Sequence, residues 1–389
     1  MLTQDPRAVY LHIPFCKKIC HYCAFNKYFY DGQPIDDYLQ ALDLEMKQTL
    51  ASDTQSKKTF DTIYVGGGTP SALSLNELST LLASIDQYLS KADHYEYTFE
   101  VNPGELSLAK CQLLKEAGVN RISMGVQSFN DQLLRQIGRN HRSKQVYESI
   151  DWLRKVGFEN LSIDLIFRLP NQSLADFNQS LSQALALDLP HYSLYSLIIE
   201  QKTVFQQLMR QGKLPIPNED QDADMFQLAQ ERLAAEGIYQ YEISNFSKKG
   251  FESQHNLTYW QYQPYFGFGA GAHGFVDGYR YANHGPVHHY IKAVNEQGNG
   301  RIRQHNLSIE EQMEEFLFLG LRTTQGVRLA DFERIFQRNY WDLIPDFIRR
   351  QEQLGLMICQ DSDLRLSQKG LNLADHVFRE LLGTIYKEG

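Results

Sequence analysis

Val9-Tyr10-Leu11-His12-Ile13-Pro14-Phe15-Cys16-Lys17-Lys18-Ile19-Cys20-His21-Tyr22-Cys23 sets the reading of the whole chain. Val9 to Ile13 is strand-like, and three cysteines follow within eight residues, spaced C-x3-C-x2-C. Thiolates are the usual ligands of iron–sulfur clusters, and a cubane cluster has four irons. Three cysteines therefore leave one iron open to a cofactor or substrate. A structural zinc ion would want a fourth close ligand. His12 and His21 stand nearest, but His21 lies between the cysteines and the loop is short for it. Five cysteines in all, three of them crowded together, do not read as a disulfide framework. The expectation is metal binding in the reducing cytoplasm.

Outward from this loop, β-rich and helical runs alternate. A helix with apolar Ile35, Leu39, Leu42 and Met46 follows the cysteines. Strand Thr62 to Val65 then runs into Gly66-Gly67-Gly68-Thr69-Pro70, and the next helix opens with a Ser74/Glu77 capping box. Further strands are expected at Tyr95 to Val101, Arg121 to Val126, Leu161 to Phe167 and Tyr192 to Ile198, with helices between them. Six such units with short connections imply parallel strands, two units short of a closed eight-fold barrel. The fold class is α/β, a partial (β/α)6 TIM-like barrel. Chemistry is expected at the C-terminal strand ends, where the cysteine loop and Gly66 to Gly68 both fall.

The regularity breaks after about residue 200. Residues 1–235 read as the barrel core, and 236–305 as a connecting region with an aromatic and glycine-rich stretch. Residues 306–389 read as a helical C-terminal α+β appendage, winged-helix-like, with a small terminal hairpin. It carries no dense Lys/Arg run, so a structural or partner-binding role is expected rather than DNA binding.

Composition is that of an ordinary globular protein, 42% hydrophobic and 22% charged. A net charge of -9, from 38 basic against 47 acidic residues, gives no pull on phosphate backbones, so no nucleic-acid partner is expected. There is no secretion signal and no apolar run near the ~20 residues a membrane span needs.

The cysteine triad resembles that of the radical-SAM superfamily, and the resemblance continues along the chain. Tyr10 to Cys16 is similar to the approach to the cluster in oxygen-independent coproporphyrinogen III oxidases and their relatives. Gly66 to Ser71, Glu100-Val101-Asn102-Pro103, Gly125 to Ser128, Gly138-Arg139 and Ile163-Asp164-Leu165 follow in that family's order. The resemblance implies a [4Fe-4S] cluster on Cys16, Cys20 and Cys23. It also implies S-adenosylmethionine bound among Tyr10, Phe25, Gly67, Gly68, Thr69, Glu100, Gln127, Arg139 and Asp164. In the oxidases Gln127, Arg139 and Asp164 match positions that line a second molecule of that cofactor. Bound there, S-adenosylmethionine supplies a 5′-deoxyadenosyl radical on reductive cleavage, with the protein providing placement and exclusion of water and oxygen.

Two departures separate this chain from the oxidases. They carry a further cysteine two residues after the third, where Phe25 stands here, and an N-terminal extension over the active site that is not expected in this chain. His255-Asn256-Leu257-Thr258-Tyr259-Trp260 resembles the His-Asn-x-x-Tyr-Trp motif of HemW-like heme chaperones. An imidazole can ligate heme iron and flanking aromatics can face the macrocycle. The resemblance therefore implies heme contact through His255, Asn256, Tyr259 and Trp260, with His273 as a second candidate ligand. The alternative for His255 is a satisfied polar residue on a local turn. Cys111 and Cys359 read as packing. The expected function is a heme carrier that passes heme to client proteins, among them membrane-bound respiratory enzymes. The alternatives are an oxidase that decarboxylates coproporphyrinogen III and, disfavoured by charge, an RNA-modifying enzyme. A homodimer is left open.

Overall fold

In Ala8–Ile13 (β1), Val9, Leu11 and Ile13 are fully buried while Tyr10 and His12 point to the other face. That two-residue period repeats through Thr59–Gly67 (β2), Ser90–Val101 (β3), Arg121–Gln127 (β4), Asn160–Phe167 (β5) and His191–Ser196 (β6). The computed structural model describes residues 5–51 and 58–387, and in it these six strands pair in parallel, in chain order. Their apolar faces look outward onto helices, among them Ile35–Ala51 (α1), Leu75–Tyr88 (α2), Leu108–Glu116 (α3), Ser143–Lys155 (α4), Leu174–Leu185 (α5) and Glu219–Ala235 (α6). Ser74 and Glu77 form the capping box at the start of α2.

The inward row is polar. Thr62, Tyr64, Glu96, Thr98, Glu100, Arg121, Ser123, Ser162, Asp164, His191 and Ser193 occupy positions that a packed barrel would fill with branched apolar side chains. The barrel is open, so the expected partial barrel is what the chain forms.

The stretch 236–305 is woven into that barrel rather than strung between two domains. Tyr239–Gln240 (β7) and Asn245–Ser247 (β8) extend the sheet beyond β6. Tyr265–Phe268 (β9) pairs in parallel with β1, and His273–Val276 (β10), Tyr279–Asn283 (β11) and Arg301–Asn306 (β12) continue antiparallel. The result is one twelve-stranded sheet, in the order β12-β11-β10-β9-β1-β2-β3-β4-β5-β6-β8-β7. Sequence periodicity missed β9 to β12, which are short strands set among glycines.

One buried carboxylate pins the added strands to the barrel. Glu45 of α1 accepts hydrogen bonds from the amides of Gly269 and Gly300, from Asn283 and from the Tyr290 hydroxyl. Between them, Gln254–Trp260 (α7) lies against β2, and Val287–Gln297 (α8) packs on α1.

From residue 307 a second apolar core forms around Phe316, Leu317, Phe332, Tyr340 and Val377. Ile309–Gly320 (α9), further helices and the hairpin Met357–Gln360/Asp363–Leu366 build the winged-helix-like appendage.

Candidate functional site

The cysteine loop arches over the C-terminal ends of the strands. Backbone pairing of Phe15–Cys16 with Tyr28–Phe29 closes its base, and the amide of His21 bonds the carbonyl of Ile137. Cys16, Cys20 and Cys23 all line one cavity of about 430 Å³, within the usual size of small-molecule sites. Thr69 donates to the Cys16 sulfur at 3.3 Å and Arg139 to the Cys20 sulfur at 3.5 Å. Burial pushes the Cys16 thiol up to about 12, against the Thr69 bond, and raises Cys23 too.

Three thiols are the donors that the cavity presents to a metal centre. A cubane binds each thiolate at a different iron, and three cysteines around one cavity mouth fit it.

Opposite the cysteines, the end of β2 is glycine because nothing else fits. Gly67 holds φ +115°, and a Cβ there would stand 2.6 Å from the His12 ring. A Cβ on Gly68 would meet the Pro14 carbonyl carbon at 2.7 Å, and one on Gly66 the Glu100 carboxylate at 2.7 Å. The bare backbone lets a ligand approach closely.

Glu100, at the end of β3, accepts from the Tyr64 hydroxyl at 2.7 Å and the Gly67 amide at 3.0 Å. Burial, with help from the nearby Asp164 charge and against the Tyr64 bond, lifts its carboxyl to about 7. Asp164 accepts from Ser123 at 3.3 Å, and burial raises its carboxyl as well. Arg139 donates to Asn102 at 2.6 Å and to the Gly125 carbonyl, yet its Nε is buried with no partner among the described residues. Gln127 sits at φ 67°, a strained conformation for a non-glycine residue, beside Gly125. Carboxylates for hydroxyl and ammonium groups, an orphaned guanidinium N–H for a carboxylate and a glycine cradle suit an amino-acid-bearing nucleoside.

Eight of the nine residues expected around this cofactor line the cavity. The exception is Tyr10, whose hydroxyl bonds His12 Nδ1 at 2.8 Å and whose ring packs beside Tyr64. Tyr10 pairs in register with Tyr64, which does line the cavity. Phe25 stands at the mouth, 71% exposed.

Residues 10–184 match the model of the radical SAM superfamily, and 307–373 that of the HemN C-terminal domain. The chain is 47% identical to the heme chaperone HemW of Bacillus subtilis (strain 168), over 97% of this chain and all of that protein. It is 44% identical to the HemW of Lactococcus lactis, over 98% of both chains. In fold it resembles the coproporphyrinogen III oxidase HemN of Escherichia coli, with a TM-score of 0.84 at 22% identity, over 97% of this chain and 90% of that one.

This chain belongs to the HemW family of radical-SAM proteins.

The four residues of the HemW-like motif have different surroundings. His255, 1% exposed, points into the barrel floor. Its Nδ1 meets Thr62 Oγ1 at 2.8 Å, its Nε2 meets the Tyr259 hydroxyl at 2.7 Å, and its ring packs tilted against Tyr64 with centroids 5.0 Å apart. Both ring nitrogens are engaged within the protein. Burial, reinforced by Arg121, pushes its pKa down to about 3. Tyr259 turns its edge to Tyr265, and Trp260 lies under the Arg322 guanidinium at 4.5 Å. Of the four, Asn256 alone lines the cavity. The reading of His255 as a satisfied polar residue describes its geometry here.

Tyr64, Arg121, Ser193 and Tyr195 also line the cavity and were not singled out in the sequence. Polar residues at alternate positions of strands expected to be buried were the available signal.

Proposed function

We propose that this HemW-family chain is a heme carrier that retains the radical-SAM apparatus, working in the cytoplasm and delivering heme to client proteins, respiratory enzymes among them. In this reading Cys16, Cys20 and Cys23 hold a [4Fe-4S] cluster. Gly67, Gly68, Thr69, Glu100 and Arg139 hold S-adenosylmethionine against it, and Gln127 and Asp164 line the same cavity. The bound cluster and cofactor together supply one-electron chemistry. The chain's own residues orient the cofactor's polar groups and keep water from it.

The observation that carries the reading is the single cavity with three thiols on one wall and a glycine-and-carboxylate cradle on the other. Heme delivery is supported by the near full-length likeness to proteins named heme chaperones, and by Phe25, apolar and open at the mouth. No described helix is long and apolar enough to cross a membrane, so membrane-bound clients would be met at their surface.

The test is anaerobic reconstitution with iron and sulfide, then titration with ferric heme. The expected results are a [4Fe-4S] electron-paramagnetic signal that responds to S-adenosylmethionine, and saturable heme uptake. Release of carbon dioxide from coproporphyrinogen III would replace the carrier by the oxidase, and a colourless zinc protein would remove the radical-SAM reading.

A further inference from the structure

Two of the three cysteine sulfurs are joined by one chain of hydrogen bonds. Arg139, buried in the segment after β4, donates through one terminal nitrogen to the Cys20 sulfur at 3.5 Å. Its other terminal nitrogen donates to the Asn102 side-chain oxygen at 2.6 Å and to the Gly125 carbonyl. Asn102 donates from its side-chain nitrogen to Thr69 Oγ1 at 3.1 Å. Thr69, also buried, donates to the Cys16 sulfur at 3.3 Å. The path from Cys20 to Cys16 thus runs through Arg139, Asn102 and Thr69, residues that follow three neighbouring strands.

The groups themselves fix the direction of each bond. A guanidinium only donates, so Asn102 turns its oxygen to Arg139 and its nitrogen to Thr69. The Thr69 oxygen accepts that bond, and its own proton goes to the sulfur.

Asn102 is the joint of the chain, and its backbone is fastened separately. It directly follows β3, and its amide donates to Ser71 Oγ at 3.0 Å. Ser71 donates to the buried Glu105 at 3.3 Å, and Lys110 donates to the carbonyls of both. Free, a long arginine side chain samples many rotamers. Bonded to Asn102 and Gly125 as well, Arg139 is held to the one that reaches Cys20.

Hydrogen bonds to the sulfurs are among the terms that set the reduction potential of an iron–sulfur centre. One-electron reduction adds negative charge, so donors held against the thiolates favour the reduced state and raise the potential. A charged donor counts for more than a neutral one, which puts the Arg139 bond ahead of the Thr69 bond.

We propose that Asn102 is a positioning residue which, by aiming Arg139 at Cys20 and Thr69 at Cys16, raises the reduction potential of the cluster these cysteines hold. This rests on the iron–sulfur reading and adds what tunes that centre.

The test uses the full chain, reconstituted anaerobically with iron and sulfide. It is titrated with dithionite in the absence of S-adenosylmethionine and read by electron paramagnetic resonance. Asn102→Leu removes both side-chain bonds at similar volume. At iron and sulfide contents equal to those of the unaltered chain, its one-electron reduction equilibrium is expected to fall on the order of 10-fold, which is about 59 mV. Thr69→Val, which removes the far hydroxyl alone, is expected to lower it by less. The double variant is expected to shift by less than the sum of the two, as members of one network do. Potentials in both single variants equal to or above that of the unaltered chain overturn the assignment. A double shift equal to the sum also overturns it, because Asn102 and Thr69 would then act separately. Should Asn102→Leu take up no cluster, Thr69→Val alone decides. A wild-type chain that takes up no cluster is a different result, for it removes the iron–sulfur reading itself.

Discussion

Gly67 and His255 show how individual residues are fixed by what surrounds them. At Gly67 a side chain would be strained by φ +115° and would collide with the His12 ring. Gly67→Ala should therefore cost on the order of 1–3 kcal/mol, seen as a lowered denaturation midpoint, and should also displace the amide that Glu100 accepts. His255 makes a prediction about pH. Its folded pKa of about 3 lies below the usual 6.5 because of burial and Arg121. Below pH 6.5 the unfolded imidazole takes up a proton that the folded one refuses. The stability it contributes is therefore complete above pH 6.5 and is lost as pH falls, by about 2 kcal/mol at pH 5. Between pH 7 and 5, His255→Gln should lose about 2 kcal/mol less than the unaltered chain, measured by denaturant titration at each pH.

At the scale of elements, α7 is a seven-residue helix that would not hold its place alone. Glu96 of β3 holds it from inside the barrel, accepting from Ser253 Oγ and from the amides of Gln254 and His255. A carboxylate at a helix N-terminus satisfies amides that have no partner in the helix. Glu96→Ala leaves those donors buried and should cost about 1–3 kcal/mol. Hydrogen exchange should rise first in residues 254–260, and an unchanged exchange pattern there would refute the clamp. The sequence offered Glu96 as one acidic residue in a strand; its partners lie more than 150 positions away, so no local pattern could expose them.

Across the whole molecule there are two apolar cores, and the appendage core also takes in Tyr262 and Phe275 from the sheet extension. Glu242 bridges to Thr323, the amide of Ile243 bonds the Arg322 carbonyl, and the Arg322 guanidinium covers Trp260. Trp260 sits at the end of α7, so the helix that floors the barrel also anchors the appendage. A desolvated cation–π contact is worth up to about 2 kcal/mol. Arg322→Ala should split a single calorimetric transition into two, the appendage melting first. A single unchanged transition would show that the contact between barrel and appendage does not depend on Arg322.

The sequence by itself determined the cysteine triad, the six strand–helix units, the glycine run and eight of the nine residues expected at the cavity. Those features are local: spacing, two-residue and 3.6-residue periods and glycine runs are written in consecutive positions. Only the tertiary structure decided that 236–305 completes the sheet, that Glu96 holds α7 and that His255 is bonded at both nitrogens. Each of these depends on hydrogen-bond partners distant in the chain, and whether a ring nitrogen is free is a property of the neighbours folding brings to it.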